Sequence, residues 1–428
     1  MLWESEGFAW DDAWRVPNTP VRDLKARAGF LAHEFHGRPS EAMWVCGVTG
    51  TNGKTTCSQW ISFVLSSIDT KTAVIGTLGA GFQPALQPVD NTTPDALELH
   101  RLLAEFKSDG AAAVAMEVSS HGLDQGRVNG VAFDCALLTN LTQDHLDYHR
   151  TMTAYAAAKA HLFDVPGLEA AVLNLDDAFG VQIAERLEAR GQRAIGYSLS
   201  GAPASEFISV SRFENQKAEI RSSWGRAEVM FPQIGRFNLA NALGVLGCLV
   251  AKGIPFAQAA ALLEKLPAVP GRMQKVGDRP LVVVDYAHTP DALDKALAAL
   301  QPIARARGGR LVAVFGAGGG RDAGKRPQMG LAASRRADRI VLTSDNPRGE
   351  DPLAILEAIR AGIEAGRACE VEVDRAKAIQ SAIAAAGESD VILIAGKGHE
   401  TFQEIAGQRQ PFSDAAVAGA ALGPGAKR

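Results

Sequence analysis

Met43-Trp44-Val45-Cys46-Gly47-Val48, followed by Thr49-Gly50-Thr51-Asn52-Gly53-Lys54-Thr55-Thr56, decides the reading of this chain. An apolar run enters a glycine-rich turn, and the turn opens a helical pattern, CSQWISFVLSSI. The order is strand, loop, helix. Glycines let backbone N–H groups close around phosphate oxygens, and the helix N-terminus adds partial positive charge. In such a loop Lys54 reaches the β- and γ-phosphates of a nucleotide, and the Thr55 hydroxyl reaches a Mg²⁺ ion. Val48 stands where the common G-x-x-x-x-G-K-[ST] pattern has its first glycine. A glycine-rich turn with a chance lysine is the bland alternative, and nucleotide binding is the stronger one.

Outward from this loop, short apolar runs (TAVIGTL, AAAVAMEV, CALLTNL, AAVLNL) alternate with helical stretches such as residues 94–107 and 155–163. Strands alternating with helices predict an α/β fold, a mostly parallel sheet flanked by helices. Upstream, residues 1–43 are a polar lead-in with one helix-like stretch over 24–35. Residues 198–227 alternate in a β-like way and predict an edge hairpin, with an Ala/Leu-rich helix following GRFNLANA. LPAVPGRMQKV carries two prolines and a glycine and marks the best domain boundary. Beyond it LVVVDYA, a helix from Pro290, LVAVFGA, RIVLTSD and DVILIAG predict a smaller Rossmann-like α/β domain. The tail, GAALGPGAKR, reads as frayed. The expected division is 1–43, 44–268 and 269–428.

At 428 residues the chain exceeds one hydrophobic core. It is 46% hydrophobic and 21% charged, with a net charge of −4, which suits a soluble protein and offers no footprint for nucleic acid or a membrane surface. Five cysteines lie scattered with no C-x-x-C pair, so their spacing indicates neither a zinc site nor a disulfide framework. Buried free thiols in a reducing cytoplasm are the expectation. No apolar run reaches the roughly 18–20 residues of a membrane span, and the acidic N-terminus is not a signal peptide.

Polar residues gather where the apolar runs end, which is where open α/β sheets bind ligands. Glu117, in MEVSSHGL, sits where a second Mg²⁺ ligand would be useful, or is simply a solvated strand-end carboxylate. Thr139 to Asp147, TNLTQDHLD, has the same placement, with an Asx-rich helix start as the alternative. Lys159, taken alone, reads as a solvated surface lysine. In the second half DYAHTP, GAGGGRD, DNPR and GKGHE follow four strands. Turn chemistry explains any one of them, but together they make a rim.

These residues resemble the Mur ligases, and among them the ligases that add the third residue to UDP-N-acetylmuramoyl-dipeptide. The resemblance runs from about Pro20 to Glu404, through GVTGTNGKTT, NTTPDALEL, MEVSSHGL, LTNLTQDHLDYH, YAAAKAHLF, GRFNLANA, PGRM, VVDYAHTPDAL, GGGRDAGKRP, DNPRGEDP and AGKGHE. It implies that Gly50, Thr51, Asn52, Gly53, Lys54, Thr55 and Thr56 hold the phosphates of ATP, with Asn238, Arg272 and Asp285 also contacting the nucleotide. It assigns Thr55, Glu117, His145 and Lys159 to Mg²⁺, Lys159 as the lysine this family carbamylates to a metal-binding anion; Lys54, Glu117, His145 and Lys159 are then the catalytic set. Asn91, Thr92, Thr93, Ser119, Gln125 and Arg127 match positions that hold the UDP-N-acetylmuramoyl-dipeptide.

Arg321, Asp345, Asn346, Pro347, Arg348, Gly396 and Glu400 match the pocket for the incoming amino acid. In the family DNPR accompanies meso-diaminopimelate, whose second carboxylate a fixed guanidinium can grip bidentately. The implied reaction forms an acyl phosphate and ADP, then captures the acyl group with the amine, after a domain closure. A cytoplasmic, monomeric enzyme is the expectation.

One departure stands out. The family has an N-terminal domain for the uridine diphosphate, and the lead-in here matches only its last part. A gene start called too late is the expectation, with weak grip on the nucleotide sugar if the domain is truly missing. Alternatives are an inert ATP-binding remnant, a folylpolyglutamate synthase-like ligase and a simple P-loop kinase. MEVSSHGL and DNPR weigh against the folate enzyme, and the second α/β domain weighs against the kinase.

Overall fold

In the computed structural model, which describes residues 1–423, the strand Trp44–Thr49 lies near the middle of an eleven-stranded sheet and is buried over all but its first residue. Helices on both faces leave no solvent side, so the strand is apolar throughout rather than alternating. Its neighbours, Ala113–Glu117 and Cys135–Leu138, run parallel to it, with Val48 level with Glu117 and Thr49 level with Leu138. Three loops therefore leave the sheet side by side. They carry the glycine-rich turn, the segment from Ser119 and the pair Thr139-Asn140.

The helix expected after the turn is Lys54–Ser66, and that expected over 24–35 is Leu24–Phe35. The edge hairpin is larger than the alternation implied. Glu206–Glu214, Lys217–Ser222 and Gly225–Met230 form an antiparallel ribbon at one sheet margin. The Ala/Leu-rich helix does not follow GRFNLANA but starts inside it, at Arg236.

A six-stranded sheet builds the second half. Leu281–Asp285, Val391–Ala395, Leu311–Phe315 and Arg339–Leu342 are successive parallel neighbours. Asp285 is level with Ala395 and Phe315 with Leu342, so the four polar clusters do emerge along one rim. Two apolar layers cover the sheet, one around Leu293, Leu297 and Ile355, the other around Ala378, Ile379 and Ile383. Side-chain oxygens of Thr289, Asp351, Asp374 and Ser413 accept from first-turn N–H groups and start its helices.

The chain divides into two units, 1–141 with 153–231 and 240–266, and 142–152 with 232–239 and 267–428. The break between residues 266 and 267 lies at the proline-marked boundary. The lead-in counts with the first unit, and two short excursions count with the second, which chain order alone does not reveal. Of the tail expected to fray, residues 419–422 finish the helix Asp414–Leu422, and residues 424–428 lie outside the described residues. Among the described residues no helix is long and apolar enough to cross a membrane.

Candidate functional site

The first unit's site starts at Gly50. Its φ is +141°, and a Cβ there would come within 1.9 Å of Thr139 Oγ1, so only glycine fits. Gly53, at φ +89°, precedes the helix, and a Cβ on it would meet Asn241 Oδ1 at 2.5 Å. Thr139 and Asn140 brace the loop from the neighbouring strand end. Thr139 Oγ1 donates to Asn52 O at 2.6 Å, Asn140 Nδ2 donates to the same oxygen at 3.0 Å, and Asn52 N donates to Asn140 Oδ1 at 3.0 Å. Sequence reasoning noticed this polar density without seeing its role.

Lys54 folds back over the loop, its Nζ donating to Gly50 O and Thr51 O at 2.9 Å each. Thr55 Oγ1 donates to Glu117 Oε2 at 3.0 Å. Glu117 is buried at 1% exposure rather than solvated, which overturns the bland reading of it. Its carboxylate also accepts from Thr77 N at 2.8 Å and Thr77 Oγ1 at 3.1 Å. A hydroxyl and a carboxyl group in contact are the hard oxygen donors Mg²⁺ takes.

Lys159, read alone as a surface residue, is 1% exposed. Its Nζ donates to Gly50 O at 2.9 Å and stands 4.6 Å over the Tyr155 ring, whose hydroxyl lies 3.1 Å from Thr51 Oγ1. Helical spacing in YAAAKAHLF could have signalled burial, since alanines surround the lysine.

Four of the six residues expected to hold the dipeptide are linked to one another beside Glu117, and a fifth, Thr92, pairs with Thr77. Thr93 Oγ1 donates to Glu117 O at 2.9 Å and lies 3.1 Å from Ser119 Oγ. Arg127 Nη1 donates to Thr93 O at 2.8 Å, and Arg127 Nη2 donates to Gln125 Oε1 at 2.7 Å. Thr92 Oγ1 lies 3.1 Å from Thr77 Oγ1, while Asn91 is exposed on the same loop.

The second unit holds the remaining residues. His145, at φ +55°, belongs to it, with Nε2 3.5 Å from Asp144 Oδ2. Asp144 is buried, which by itself would raise its pKa. A hydrogen bond from His288 and the charges of His145 and Lys325 outweigh that and hold it well below the carboxylate range. The Arg272 guanidinium stacks 4.3 Å over Tyr286, and Asp285 Oδ2 accepts from Met273 N at 2.7 Å. Burial pushes the Asp285 carboxyl up, opposed by Arg272. Asn238 Nδ2 donates to Ile234 O at 2.8 Å.

Along the rim, Gly396 has φ +116° and leaves no room for a Cβ beside Asp345 Oδ2, 2.3 Å away. Arg348 adopts a left-handed φ of +53°. Its Nη1 donates to Gly319 O at 2.6 Å and its Nε faces Glu404 Oε2 at 3.5 Å. A Cβ on Gly318 would meet both Arg348 Nη1 at 3.1 Å and Arg321 Cγ at 3.7 Å, so the two arginines converge on one glycine. Pro347 turns its carbonyl onto Gly319. Asn346 Nδ2 donates to Glu400 Oε2 at 2.9 Å. Behind them Arg375, fully buried, pairs with Asp414 and donates to Ser344 O at 3.2 Å and Ala395 O at 2.9 Å, tying together the two strand ends that lead into Asp345 and Gly396. Sequence reasoning missed Arg375, Glu404 and Lys397, and only the last lay in a motif.

Away from this site, Cys46, Cys135 and Cys248 meet in the first unit's core with sulfur atoms within 4.8 Å of one another, the one group of three metal-ligating side chains among the described residues. Their scattered spacing gave no sign of it, because adjacent strands and a helix bring them together. All five cysteines are free, four of them buried.

Comparison with known proteins gives a consistent result. A family model for the Mur ligase middle domain matches residues 48–249, and one for the Mur ligase, glutamate ligase domain matches residues 271–398. The chain is 49% identical to the UDP-N-acetylmuramoyl-L-alanyl-D-glutamate--2,6-diaminopimelate ligase of Chromobacterium violaceum, over 100% of this chain and 87% of that protein. It is 53% identical to the ligase of the same name from Ralstonia nicotianae, over 92% and 79%. A solved structure of a ligase of that name superposes with a TM-score of 0.66 at 38% identity, covering 95% of this chain and 84% of the other. Mycobacterium tuberculosis folylpolyglutamate synthase, at 18% identity and a TM-score of 0.70, shares the fold.

Proposed function

The chain belongs to the Mur ligase family, and from that premise we infer that it adds meso-diaminopimelate to UDP-N-acetylmuramoyl-L-alanyl-D-glutamate, using ATP, in peptidoglycan precursor synthesis. One observation carries the choice of amino acid. The second unit offers a guanidinium, Arg348, and a carboxylate, Glu400, on neighbouring loops, opposite charges for the carboxylate and ammonium of diaminopimelate's distal end. Lysine brings no second carboxylate for the arginine to grip.

In this reading the phosphates of ATP lie on Gly50 to Thr56, where backbone N–H groups and Lys54 take up the charge of the transferring phosphoryl group. Asn238, Arg272 and Asp285 would serve the rest of the nucleotide, and Thr92, Thr93, Ser119, Gln125 and Arg127, with Asn91, the muramoyl-dipeptide. The D-glutamate side-chain carboxylate attacks the γ-phosphorus, giving an acyl phosphate and ADP. The amine of the amino acid then attacks the acyl carbon and inorganic phosphate leaves.

Mg²⁺ would be held by Thr55, Glu117, His145 and Lys159 as its carbamate, and supplies charge neutralisation at the phosphates. The buried contact between Thr55 and Glu117 fits that ion, and a buried ammonium fits a lysine that gives up its charge on modification. We place the enzyme in the cytoplasm, where the nucleotide substrates are, as a monomer.

Phosphate release with UDP-N-acetylmuramoyl-L-alanyl-D-glutamate and ATP, comparing meso-diaminopimelate with L-lysine, tests the reading. Release that depends on diaminopimelate is expected; equal or faster release with lysine overturns the specificity.

A further inference from the structure

Lys397 is fully buried just past the end of the strand Val391–Ala395. Its Nζ donates to Asn346 Oδ1 at 2.9 Å and to Glu400 Oε2 at 2.7 Å. Asn346 Nδ2 closes the triangle onto the same Glu400 oxygen at 2.9 Å, and Asn346 Oδ1 also accepts from Glu404 N at 2.9 Å. An ammonium only donates, so the Asn346 amide can turn only its oxygen toward Lys397 and must turn its N–H₂ toward Glu400. Glu400 spends one oxygen on both partners. Its other oxygen has no hydrogen-bond partner among the described residues, and the side chain is 21% exposed.

We propose that Lys397 is a positioning residue for the incoming diamino acid: it locks the Asn346 amide and the Glu400 carboxylate in one arrangement, with the unused Glu400 oxygen held out for the distal ammonium. The inference rests on the functional reading above and names a part of its amino-acid pocket. Glu400 alone is a flexible, partly exposed side chain, and each binding event would have to order it. The buried ion pair does that ordering beforehand, at a desolvation cost met by three hydrogen bonds around one carboxylate and one amide. Both hydrogen bonds of the Lys397 ammonium go to residues of the amino-acid pocket, so its effect falls on one substrate.

The test uses the full chain and phosphate release, with KM measured separately for ATP, muramoyl-dipeptide and meso-diaminopimelate in Lys397→Met and Lys397→Arg. In Lys397→Met the KM for diaminopimelate is expected to rise on the order of tenfold or more, the scale of a lost charged hydrogen bond, while the KM for ATP stays within about twofold. Lys397→Arg keeps the charge but not its point geometry, and should give a smaller rise in the same KM alone. If Lys397→Met does not fold, the arginine variant decides. An unchanged diaminopimelate KM in a folded variant, or a parallel rise for ATP, overturns the proposal while leaving the functional reading standing. A wild-type chain that releases no phosphate with diaminopimelate overturns both.

Discussion

Lys159 Nζ and the carbonyl oxygen of Gly50 lie 2.9 Å apart, 109 residues distant in sequence, with the lysine buried against the turn that opens the first helix. Gly50 O thus accepts from two ammonium groups, Lys54 and Lys159. Two ammonium groups on one carbonyl are an arrangement that favours converting one lysine to an anion or bringing phosphate to the loop.

Lys159→Ala is therefore expected to abolish most amino-acid-dependent phosphate release, and short carboxylic acids such as acetate or propionate should restore part of it by filling the vacated space with a carboxylate. Steady-state rates with and without added acid check this. A folded variant that no acid rescues would return Lys159 to a role as a plain cation.

Arg348→Ala should raise the KM for meso-diaminopimelate far more than that for ATP, by an amount on the order of 2–5 kcal/mol for a charged partner lost from a buried carboxylate. Comparing kcat/KM for the two substrates measures it. Glu404, facing Arg348 at 3.5 Å, gives a second handle. Glu404→Gln should weaken diaminopimelate use more modestly, since it loosens the arginine without removing it.

The two halves of this molecule were unequally legible. Strand, loop and helix around Gly50 follow from local pattern, and the four polar clusters of the second unit could be assigned to one rim because parallel strands align their ends. Lys397, Arg375 and Asp414 could not be found so. A lysine or arginine reads as solvated unless something signals its partner, and Arg375 meets Asp414 across 39 residues. Lys159 needed a family resemblance for the same reason. Likewise no spacing rule joins Cys46, Cys135 and Cys248, because the contact is made by strand register and a helix face rather than by a local motif. The lead-in is a further case. Its rings from Trp3, Phe8, Trp10 and Trp14 gather into one cluster that a polar-looking composition hid.

The Arg375–Asp414 pair, both partners fully buried, yields a stability test. Asp414→Ala leaves a buried guanidinium with two carbonyl partners and without the carboxylate it contacts, so the second unit should lose about 3–5 kcal/mol. Replacing both residues with apolar ones should cost less than Asp414→Ala alone. Chemical denaturation of the three proteins checks the order, and a double variant weaker than the single one would show that the hydrogen bonds to Ser344 O and Ala395 O outweigh the charge.

His100 sets an acid limit on the first unit. Fully buried on the helix Ala96–Ser108, it bonds Asn129 O through Nε2 at 3.0 Å and faces the His33 ring at 5.2 Å. Burial pushes its pKa down to about 4, only partly offset by the Asn129 contact, against an ordinary value of 6.5. The folded state therefore binds fewer protons than the unfolded one between those two values. Its contribution is fully present above about pH 6.5 and drains away as the pH falls toward 4, a loss on the order of 3 kcal/mol across the window. His100→Gln, which keeps a side-chain donor for Asn129 O, should flatten that slope in urea unfolding measured from pH 7.5 down to 4.5. An unchanged slope in the variant would move the acid sensitivity to another group.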